Sequence, residues 1–356
     1  MNRRVMVAPL DWGLGHATRC IPLIREFLAK NCEVIIAGSG ASLTLLRNEF
    51  PGLTFEELPD YRIRYSSSSS QAWKIATQLP LLLKMYWLDG RATEKIVVKH
   101  DVKVILSDNR YGCRSTRALS IFVGHQVNLR MPERLSGLSS LVNRLHSGLV
   151  AKFDRWWVPD FAGPESLAGA LSESNRPGLT YIGPLSRFGR IEKTTKTFDL
   201  AFLLSGPEPQ RTLFEQWVIE AAAKTTLRIA LIRGTDTPLQ DISIANLSVF
   251  HLLATREVVD IIAKSDVVVA RSGYTTIMDL YHTGGRAVFV PTPGQTEQEY
   301  LARHIAAQGY AGYVEQHRLS LASIVQTASA FTGFPGKNFD GEALGRSLDD
   351  VLALRS

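Results

Sequence analysis

The chain has 356 residues, 45% of them hydrophobic and 21% charged, and this length suits two globular domains rather than one core. It has three cysteines, Cys20, Cys32 and Cys113, without C-x-x-C spacing, which indicates neither a disulfide scaffold nor a metal cluster and predicts a reduced, cytoplasmic protein. No apolar run reaches about 18 residues, and the one near the N-terminus is too short for a signal peptide, so no membrane-spanning segment is predicted.

The formal net charge of +6 is unevenly distributed along the chain. Residues 1–190 hold 25 Lys and Arg against 16 Asp and Glu, whereas the remainder holds 15 against 18. A basic first half would suit anionic lipid headgroups or an acidic acceptor, but scattered solvated charge with no partner explains it equally well. Without an RRM, zinc-finger or helix-turn-helix signature, nucleic acid is not an expected partner.

The first predicted strand, at 5–9, leads into a glycine-containing loop and a helix at 17–30. Gly13 and Gly15 allow close approach of a ligand to the backbone, and the start of the helix favours an anion. His16 and Arg19 stand in this turn, either as ordinary surface residues or as part of a site. No acidic residue ends the next strand, 34–37, which argues against NAD binding.

A long helix is predicted from 71 to 99, after a strand at 54–57 and the serine run 66–70. Its middle, 79–88, is apolar on nearly every side. The helix is therefore either buried between domains or an interfacial patch with basic flanks. The flanking residues would be Lys74, Lys84, Arg91 and Lys95.

Polar side chains follow the next two predicted strands, 102–106 and 118–123. In open α/β sheets the ligand crevice lies beyond the carboxyl ends of the strands, so these residues are expected at a site. They are Asp108, Asn109, Arg110, His125 and Gln126.

The charged, turn-rich segment 186–197 is interpreted as a linker between a first domain, 1–185, and a second, 198–340. The second domain opens with a strand at 200–204, followed by a loop that includes Ser205, Gly206 and Arg211. A final amphipathic helix, within 341–356, is expected to cross back to the first domain.

A strand–helix–strand unit is predicted from 266 to 301. The strands are 267–270 and 287–290, and the helix between them, 275–282, begins after Ser272-Gly273. Backbone N–H groups at such a helix start suit a phosphate, although an ordinary α/β turn would have the same pattern.

The sequences ARSGYTTIMDL (270–280) and FVPTPGQTEQEYLA (289–302) resemble the donor-site signature of family 28 glycosyltransferases. These include the N-acetylglucosaminyltransferases of peptidoglycan lipid synthesis, and the resemblance covers roughly 200–316 well. It implies that Ser272, Gly273 and Thr275 face a diphosphate and that Asp279, where the family has Glu, binds the ribose. Gln298 and Glu299 stand where the family has two glutamines near the donor sugar, and this difference leaves the sugar open. The other donor-site candidates are Ser205, Gly206, Arg211, Arg271, Tyr274 and Gln295.

The stretch GLGHATR (13–19) is similar to the first loop of the same family and to the G-x-G-H-x-x-R of uncharacterised family 28-like proteins. It also resembles the nucleotide-sugar hydrolases of pseudaminic acid synthesis. The residues GHQVN (124–128) look like a variant of the family's His-Glu-x-Asn.

Together these features predict an α/β protein of the GT-B type, with two Rossmann-like domains facing across a cleft. The implied function is metal-independent, inverting transfer of a sugar from a UDP-linked donor, without a cofactor. The acceptor is left open, as a lipid-linked or another saccharide, and peripheral contact with the inner face of a membrane is one alternative for a cytoplasmic protein. His16 is the first candidate for the catalytic base, kept neutral by the helix start and Arg19, and Asp108 is the second. Acceptor-site candidates are Gly13, Gly15, Arg19, Asn109, Arg110, His125 and Gln126. A nucleotide-sugar hydrolase and a non-catalytic nucleotide-sugar-binding protein are the alternatives.

Overall fold

The computed structural model describes most of the chain. The described residues are 3–11, 13–61, 79–189, 191, 194–206, 208–235, 237–239, 242–337 and 341–354. The serine run 66–70, Lys74 and the first part of the helix predicted from 71 lie outside them.

The described residues fall into two compact units. One comprises those within 1–63, 72–187 and 339–356, and the other those within 188–338. The C-terminal helix therefore packs with the first unit, where Lys30 Nζ pairs with Asp349 Oδ1 at 2.6 Å.

The first unit contains a seven-stranded parallel sheet in the order β3-β2-β1-β4-β5-β6-β7. Its strands are β1 (Arg4–Pro9), β2 (Glu33–Gly38), β3 (Thr54–Glu57), β4 (Val104–Asp108), β5 (Leu119–Val123), β6 (Arg155–Val158) and β7 (Leu179–Tyr181). Its helices are α1 (Leu14–Ala29), α2 (Gly40–Glu49), α3 (Leu79–His100), α4 (Ser139–Val150) and, from the C-terminus, α10 (Glu342–Ala353). Short 3₁₀ helices cover Glu133–Leu138, Gly163–Glu165 and Gly169–Leu171.

The central strands of this sheet contain runs of apolar residues, as expected for a parallel sheet that is covered on both faces. Val5, Met6, Val7 and Ala8 of β1 are fully buried, and so are Ile105 and Leu106 of β4. The alternation of strands and helices confirms the predicted α/β class.

The second unit contains a six-stranded parallel sheet in the order β10-β9-β8-β11-β12-β13. Its strands are β8 (Phe198–Leu203), β9 (Ile229–Ile232), β10 (Leu247–Phe250), β11 (Ser265–Ala270), β12 (Arg286–Phe289) and β13 (Gly312–Tyr313). Its helices are α5 (Gln210–Ala222), α6 (Thr255–Ala263), α7 (Tyr274–Thr283), α8 (Thr296–Ala307) and α9 (Leu321–Ser329), with a 3₁₀ turn at Gln316–Arg318.

Helix α2 is absent from the sequence-based prediction because its start depends on a distant residue. The backbone N–H of Ser42 donates to Asp11 Oδ1 at 3.2 Å, so a loop 31 residues away caps the helix. Gly40 adopts φ +53°, and a Cβ there would lie 2.0 Å from Asp11 Oδ2. Only glycine fits this approach.

Among the helices of the described residues, none is long and apolar enough to cross a membrane.

Candidate functional site

The strand order of the first sheet reverses direction between β1 and β4. Such a switch point opens a crevice at the carboxyl edge of an open α/β sheet. Pro9, the last residue of β1, is paired in register with Asp108, the last residue of β4. Helix α1 begins five residues after β1, so its first turn lies at this edge beside Asp108.

His16, Arg19 and Asp108 form a hydrogen-bonded cluster at the switch point. His16 Nδ1 lies 2.7 Å from Asp108 Oδ1, and the Arg19 guanidinium donates to both carboxylate oxygens. Asp108 and Arg19 are buried, whereas the His16 side chain is 17% exposed. Because His16 and Arg19 are one turn apart on α1, the helix aims both at the same carboxylate.

Asp108 is held in its ionised form. Burial alone would raise its pKa, but the charges of Arg19 and His16 and their hydrogen bonds outweigh burial and lower the pKa to about 2. Asp108 is therefore the buried partner of His16 and not a second accessible base. Its two oxygens already accept bonds from these two side chains.

The cluster determines which nitrogen of His16 carries its proton. Arg19 Nη2 lies 2.8 Å from Nδ1, but Nδ1 cannot both donate to Asp108 and accept from Arg19. An ionised carboxylate only accepts hydrogen bonds, so the 2.7 Å contact between Nδ1 and Asp108 Oδ1 is a hydrogen bond only if Nδ1 carries the proton, and we assign it there. The basic lone pair of the neutral ring is then on Nε2.

The other acceptor-site candidates in the first unit differ in their placement. Gly13 is exposed with φ +86°, and Gly15 is in the first turn of α1. Asn109 adopts φ +56° and is half-buried directly after Asp108. His125 is buried, and Gln126 is half-buried after β5.

The sequence-based interpretation missed His146 of α4, which holds the segment after β5. Its Nε2 donates to the Gln126 carbonyl at 2.9 Å, so its Nδ1 accepts from the Tyr111 hydroxyl at 2.9 Å. Burial lowers the pKa of His146 to about 4, so the ring is neutral. An isolated histidine in an amphipathic helix gives no signal of this role.

Arg110, predicted to bind the acceptor, is engaged inside the first unit. Its side chain is fully buried and forms a bidentate pair with Asp89, with Nη2–Oδ1 at 2.8 Å and Nε–Oδ2 at 3.1 Å. Nη2 also donates to the Pro59 carbonyl at 2.5 Å, and the Tyr61 hydroxyl donates to Asp89 at 2.8 Å. Arg110 therefore anchors α3 to the end of β4.

In the second unit, the strand order reverses between β8 and β11, and the donor-site candidates lie after the ends of β8, β11 and β12. Gly273 is the N-cap of α7, Tyr274 is its buried first residue and Thr275 is half-buried. Asp279, one turn further along α7, is 7% exposed. Ser205 and Gly206 are exposed after β8.

The loop between β12 and α8 is closed by two side chains of the first turn of α8. Gln298 Oε1 accepts from the Thr292 N–H at 2.8 Å, and Glu299 Oε1 accepts from the Gly294 N–H at 2.9 Å. The Ser272 hydroxyl, fully buried, donates to the Gln298 carbonyl at 2.8 Å. Ser272 therefore joins the starts of α7 and α8, and only its backbone remains for a diphosphate.

Two arginines predicted at the donor site have structural roles instead. Arg271 is buried, and its guanidinium donates to the carbonyls of Val290, Pro291 and Gln210. Burial lowers its pKa to about 10.

Arg211 is also engaged within its own unit. Its Nη1 lies 2.5 Å from Glu215 Oε2 and its Nε 2.7 Å from Glu208 Oε1. Glu215 also accepts from Arg233 at 2.9 Å. A phosphate at Arg211 would have to compete with Glu208 and Glu215 for the guanidinium. Neither Arg211 nor Arg271 is therefore placed as a simple phosphate ligand.

Two buried oxygen atoms of the loop between β12 and α8 have no hydrogen-bond partner among the described residues. They are Thr292 Oγ1, on a residue that is 2% exposed, and Gln295 Oε1, at the N-cap of α8. Buried polar atoms are nearly always paired in folded proteins, so these two are available to a ligand. Sequence reasoning named Gln295 but not Thr292, whose only signal is its position in a proline-bounded loop.

Comparison with known proteins relates the chain to sugar-transferring enzymes. Residues 209–339 match the model of the glycosyltransferase family 28 C-terminal domain. An uncharacterized glycosyltransferase of Methanosarcina acetivorans is 26% identical over 331 residues, covering 88% of this chain and 84% of the relative. A UDP-N-acetylglucosamine--N-acetylmuramyl-(pentapeptide) pyrophosphoryl-undecaprenol N-acetylglucosamine transferase of Histophilus somni is 39% identical over 83 residues, or 23% of this chain and 21% of that one.

Solved structures show the same architecture. The glycotransferase of kitacinnamycin superposes with a TM-score of 0.64 at 18% identity, covering 99% of this chain and 95% of that chain. MurG of Acinetobacter baumannii superposes with a TM-score of 0.56 at 13% identity, covering 99% of each chain. At these identities the likeness shows the fold, which is of the GT-B type and confirms that prediction.

Proposed function

Since the chain is a glycosyltransferase of the GT-B type whose residues 209–339 form a family 28 C-terminal domain, we propose that it transfers a sugar from a UDP-linked donor to an acceptor hydroxyl. The observation that carries this proposal is the His16–Asp108–Arg19 cluster at the switch point of the first sheet. A half-buried histidine with an assigned tautomer is the group that acceptor activation requires.

In the proposed reaction, the acceptor oxygen attacks the anomeric carbon while the bond from that carbon to the phosphate oxygen breaks. The leaving diphosphate keeps the electron pair, and His16 Nε2 takes the acceptor proton. Attack opposite the leaving group inverts the anomeric centre. The buried Asp108 carboxylate stabilises the imidazolium that forms, as in other histidine–carboxylate pairs.

On the donor side, we propose that the start of α7 receives the diphosphate. Backbone N–H groups around Gly273 and Thr275, together with the helix dipole, favour the charge that develops on the leaving group. Asp279 would accept hydrogen bonds from the ribose hydroxyls. The sequence has no Asp-x-Asp motif, and we propose transfer without a metal.

Calorimetry with UDP tests the donor assignment. We expect the wild-type protein to bind UDP and Asp279→Ala to bind it about 1–3 kcal/mol more weakly, because the ribose hydrogen bonds are lost. Glu257→Ala, on α6, removes a carboxylate that caps a different helix of the same unit, and should leave UDP affinity unchanged. If UDP, GDP and TDP all fail to bind, the second unit is not a nucleotide site.

The acceptor is proposed to be lipid-linked. The Histophilus somni relative is named for a pyrophosphoryl-undecaprenol acceptor, and the basic first half of this chain would suit an anionic lipid substrate. A cytoplasmic enzyme working at the inner face of a membrane would meet both a UDP-sugar and such an acceptor.

A further inference from the structure

Asp160, two residues after β6, is a buried carboxylate that the site described above does not include. Its side chain is fully buried and accepts five hydrogen bonds, three from backbone N–H groups and two from hydroxyls. The donors, at 2.6–3.1 Å, are the N–H groups of Phe161, Leu167 and Ala168 and the hydroxyls of Ser166 and Ser172. We call residues 161–173 the Asp160 turn, because this segment is folded around the carboxylate.

The Asp160 turn is joined to the loop that follows β5. We call residues 124–129 the β5 loop. Asn128 of this loop donates three hydrogen bonds to carbonyl groups of the Asp160 turn. They are the carbonyl of Leu171, 2.9 Å from the backbone nitrogen, and those of Ala170 and Glu173, 2.9 and 2.8 Å from Nδ2. Both hydrogens of Nδ2 are thereby used, so the Asp160 turn fixes the orientation of this side chain as well as its backbone.

The β5 loop leaves the sheet beside the cluster that contains Asp108. Strands β4 and β5 are paired in register, Asp108 with Val123, and the Val123 carbonyl accepts from the Asn109 N–H at 3.2 Å. Neighbouring strands of a sheet lie about 4.8 Å apart, so the loop begins next to the carboxylate that holds His16. His125 and Gln126, two of the acceptor-site candidates, belong to this loop.

Helix α4 holds the β5 loop from another side. His146 Nε2 donates to the Gln126 carbonyl at 2.9 Å, and the Asn143 side chain exchanges two hydrogen bonds with the backbone of Leu129, at 2.7 and 3.0 Å. Between these two contacts, the loop is held by the Asp160 turn. A binding loop whose backbone is already ordered loses less entropy when its ligand arrives, and this raises the affinity for the ligand.

We propose that Asp160 is a positioning residue for the acceptor. By closing the Asp160 turn it holds the β5 loop, and with it His125 and Gln126, in the conformation that binds the acceptor beside His16. Asp160 itself is fully buried and acts through the loop, without touching either substrate. The inference rests on the proposed sugar transfer and adds to it a determinant of acceptor binding outside both the base and the donor site.

Initial rates of UDP release at increasing amounts of a cellular lipid extract test the proposal. For Asp160→Asn, we expect the amount of extract that gives the half-maximal rate to rise about tenfold, because either orientation of the amide sets its NH₂ group against a backbone N–H of the turn. The rate at saturating extract and the affinity for UDP should stay close to the wild-type values, since only acceptor binding is weakened. A general structural defect would lower both of these quantities as well.

Ser172→Ala is a milder variant, which keeps the test valid if Asp160→Asn folds poorly. It removes one of the five donors and leaves the carboxylate and its backbone contacts in place. We expect the amount of extract required to rise in the same direction, by about threefold.

Asp154→Asn is the matched control. Asp154 directly precedes β6, at the amino end of the strand, and accepts the Ser120 N–H at 2.7 Å, away from the β5 loop. We expect its extract requirement to equal that of the wild type. An unchanged requirement in both Asp160→Asn and Ser172→Ala, or an equal rise in Asp154→Asn, would overturn the proposal.

Amide hydrogen exchange separates this proposal from the proposed function, because it needs no substrate. Exchange across 124–129 should be faster in Asp160→Asn than in the wild type and unchanged in Asp154→Asn. Equal exchange in Asp160→Asn and the wild type would show that Asp160 does not hold the loop. A wild-type protein that released no UDP with any donor or extract would instead refute sugar transfer itself.

Discussion

His16→Gln is expected to lower the rate of sugar transfer by roughly 10²–10⁴, because glutamine keeps a polar side chain of similar reach but cannot take up the acceptor proton. The affinity for UDP should hardly change, since the donor-site candidates are all in the second unit. Steady-state kinetics together with calorimetry on the same preparations separate these two quantities. If the variant transferred sugar at the wild-type rate, His16 would not be the catalytic base.

Asp108→Asn tests whether His16 and Asp108 act as a unit in the reaction. The amide cannot stabilise the imidazolium, and it can present its NH₂ group to His16 and so favour the wrong tautomer, which in other histidine–carboxylate pairs costs up to about 10⁴ in rate. The double variant should then be about as slow as His16→Gln alone. If the two losses multiplied instead, the residues would act independently.

The pH dependence follows from the low pKa of Asp108. Since its folded pKa is about 2, below the ordinary value of 3.8, Asp108 is ionised above about pH 4, and its contribution to stability is lost only as the pH falls towards 2. We therefore expect no fall in activity from protonation of Asp108 between about pH 8 and pH 4. An acid limb between about pH 8 and pH 4 that remained in His16→Gln but disappeared in Asp108→Asn would contradict this assignment.

Asp89→Ala is expected to destabilise the first unit by about 3–5 kcal/mol. It would leave the guanidinium of Arg110 buried without its carboxylate, and removal of one partner of a buried ion pair typically costs this much. The Tyr61 hydroxyl would lose its acceptor as well. Urea unfolding followed by circular dichroism measures the change.

Glu342→Ala provides the control within the same unit. Glu342 and Arg346 form an exposed pair on α10, with side chains 74% and 70% exposed, so its loss should cost less than about 1 kcal/mol. Equal stability of Asp89→Ala and Glu342→Ala would mean that the Arg110–Asp89 pair does not hold α3 to β4.

Much of the fold could be predicted from local patterns. Runs such as Val267–Ala270 and Ala287–Val290 are apolar and β-branched because both faces of a parallel sheet are covered, and this signal needs no tertiary information. Helix α4 was not predicted, because its exposed leucines blur the contrast between a core face and a solvent face. Helix α2 was missed because Asp11, from another loop, caps its start.

The site was harder to predict because it depends on pairing between distant strands. His16 and Asp108 were each named as a base, but their contact follows from the register of β1 against β4, across 92 residues. Arg110 and Arg271 were assigned to ligands because arginines after strand ends usually face a crevice. Sequence alone cannot show that Asp89 holds Arg110 and that backbone carbonyls hold Arg271 inside their own units.

Release of UDP from a panel of UDP-sugars, with and without a cellular lipid extract, tests the central claim most directly. We predict that the wild-type protein releases UDP from one of these donors only when the extract is present, and that His16→Gln releases it roughly 10²–10⁴ times more slowly. Equal release without the extract would show that water is the acceptor. UDP binding with no release under either condition would show a binding protein, and either result would contradict sugar transfer catalysed by His16.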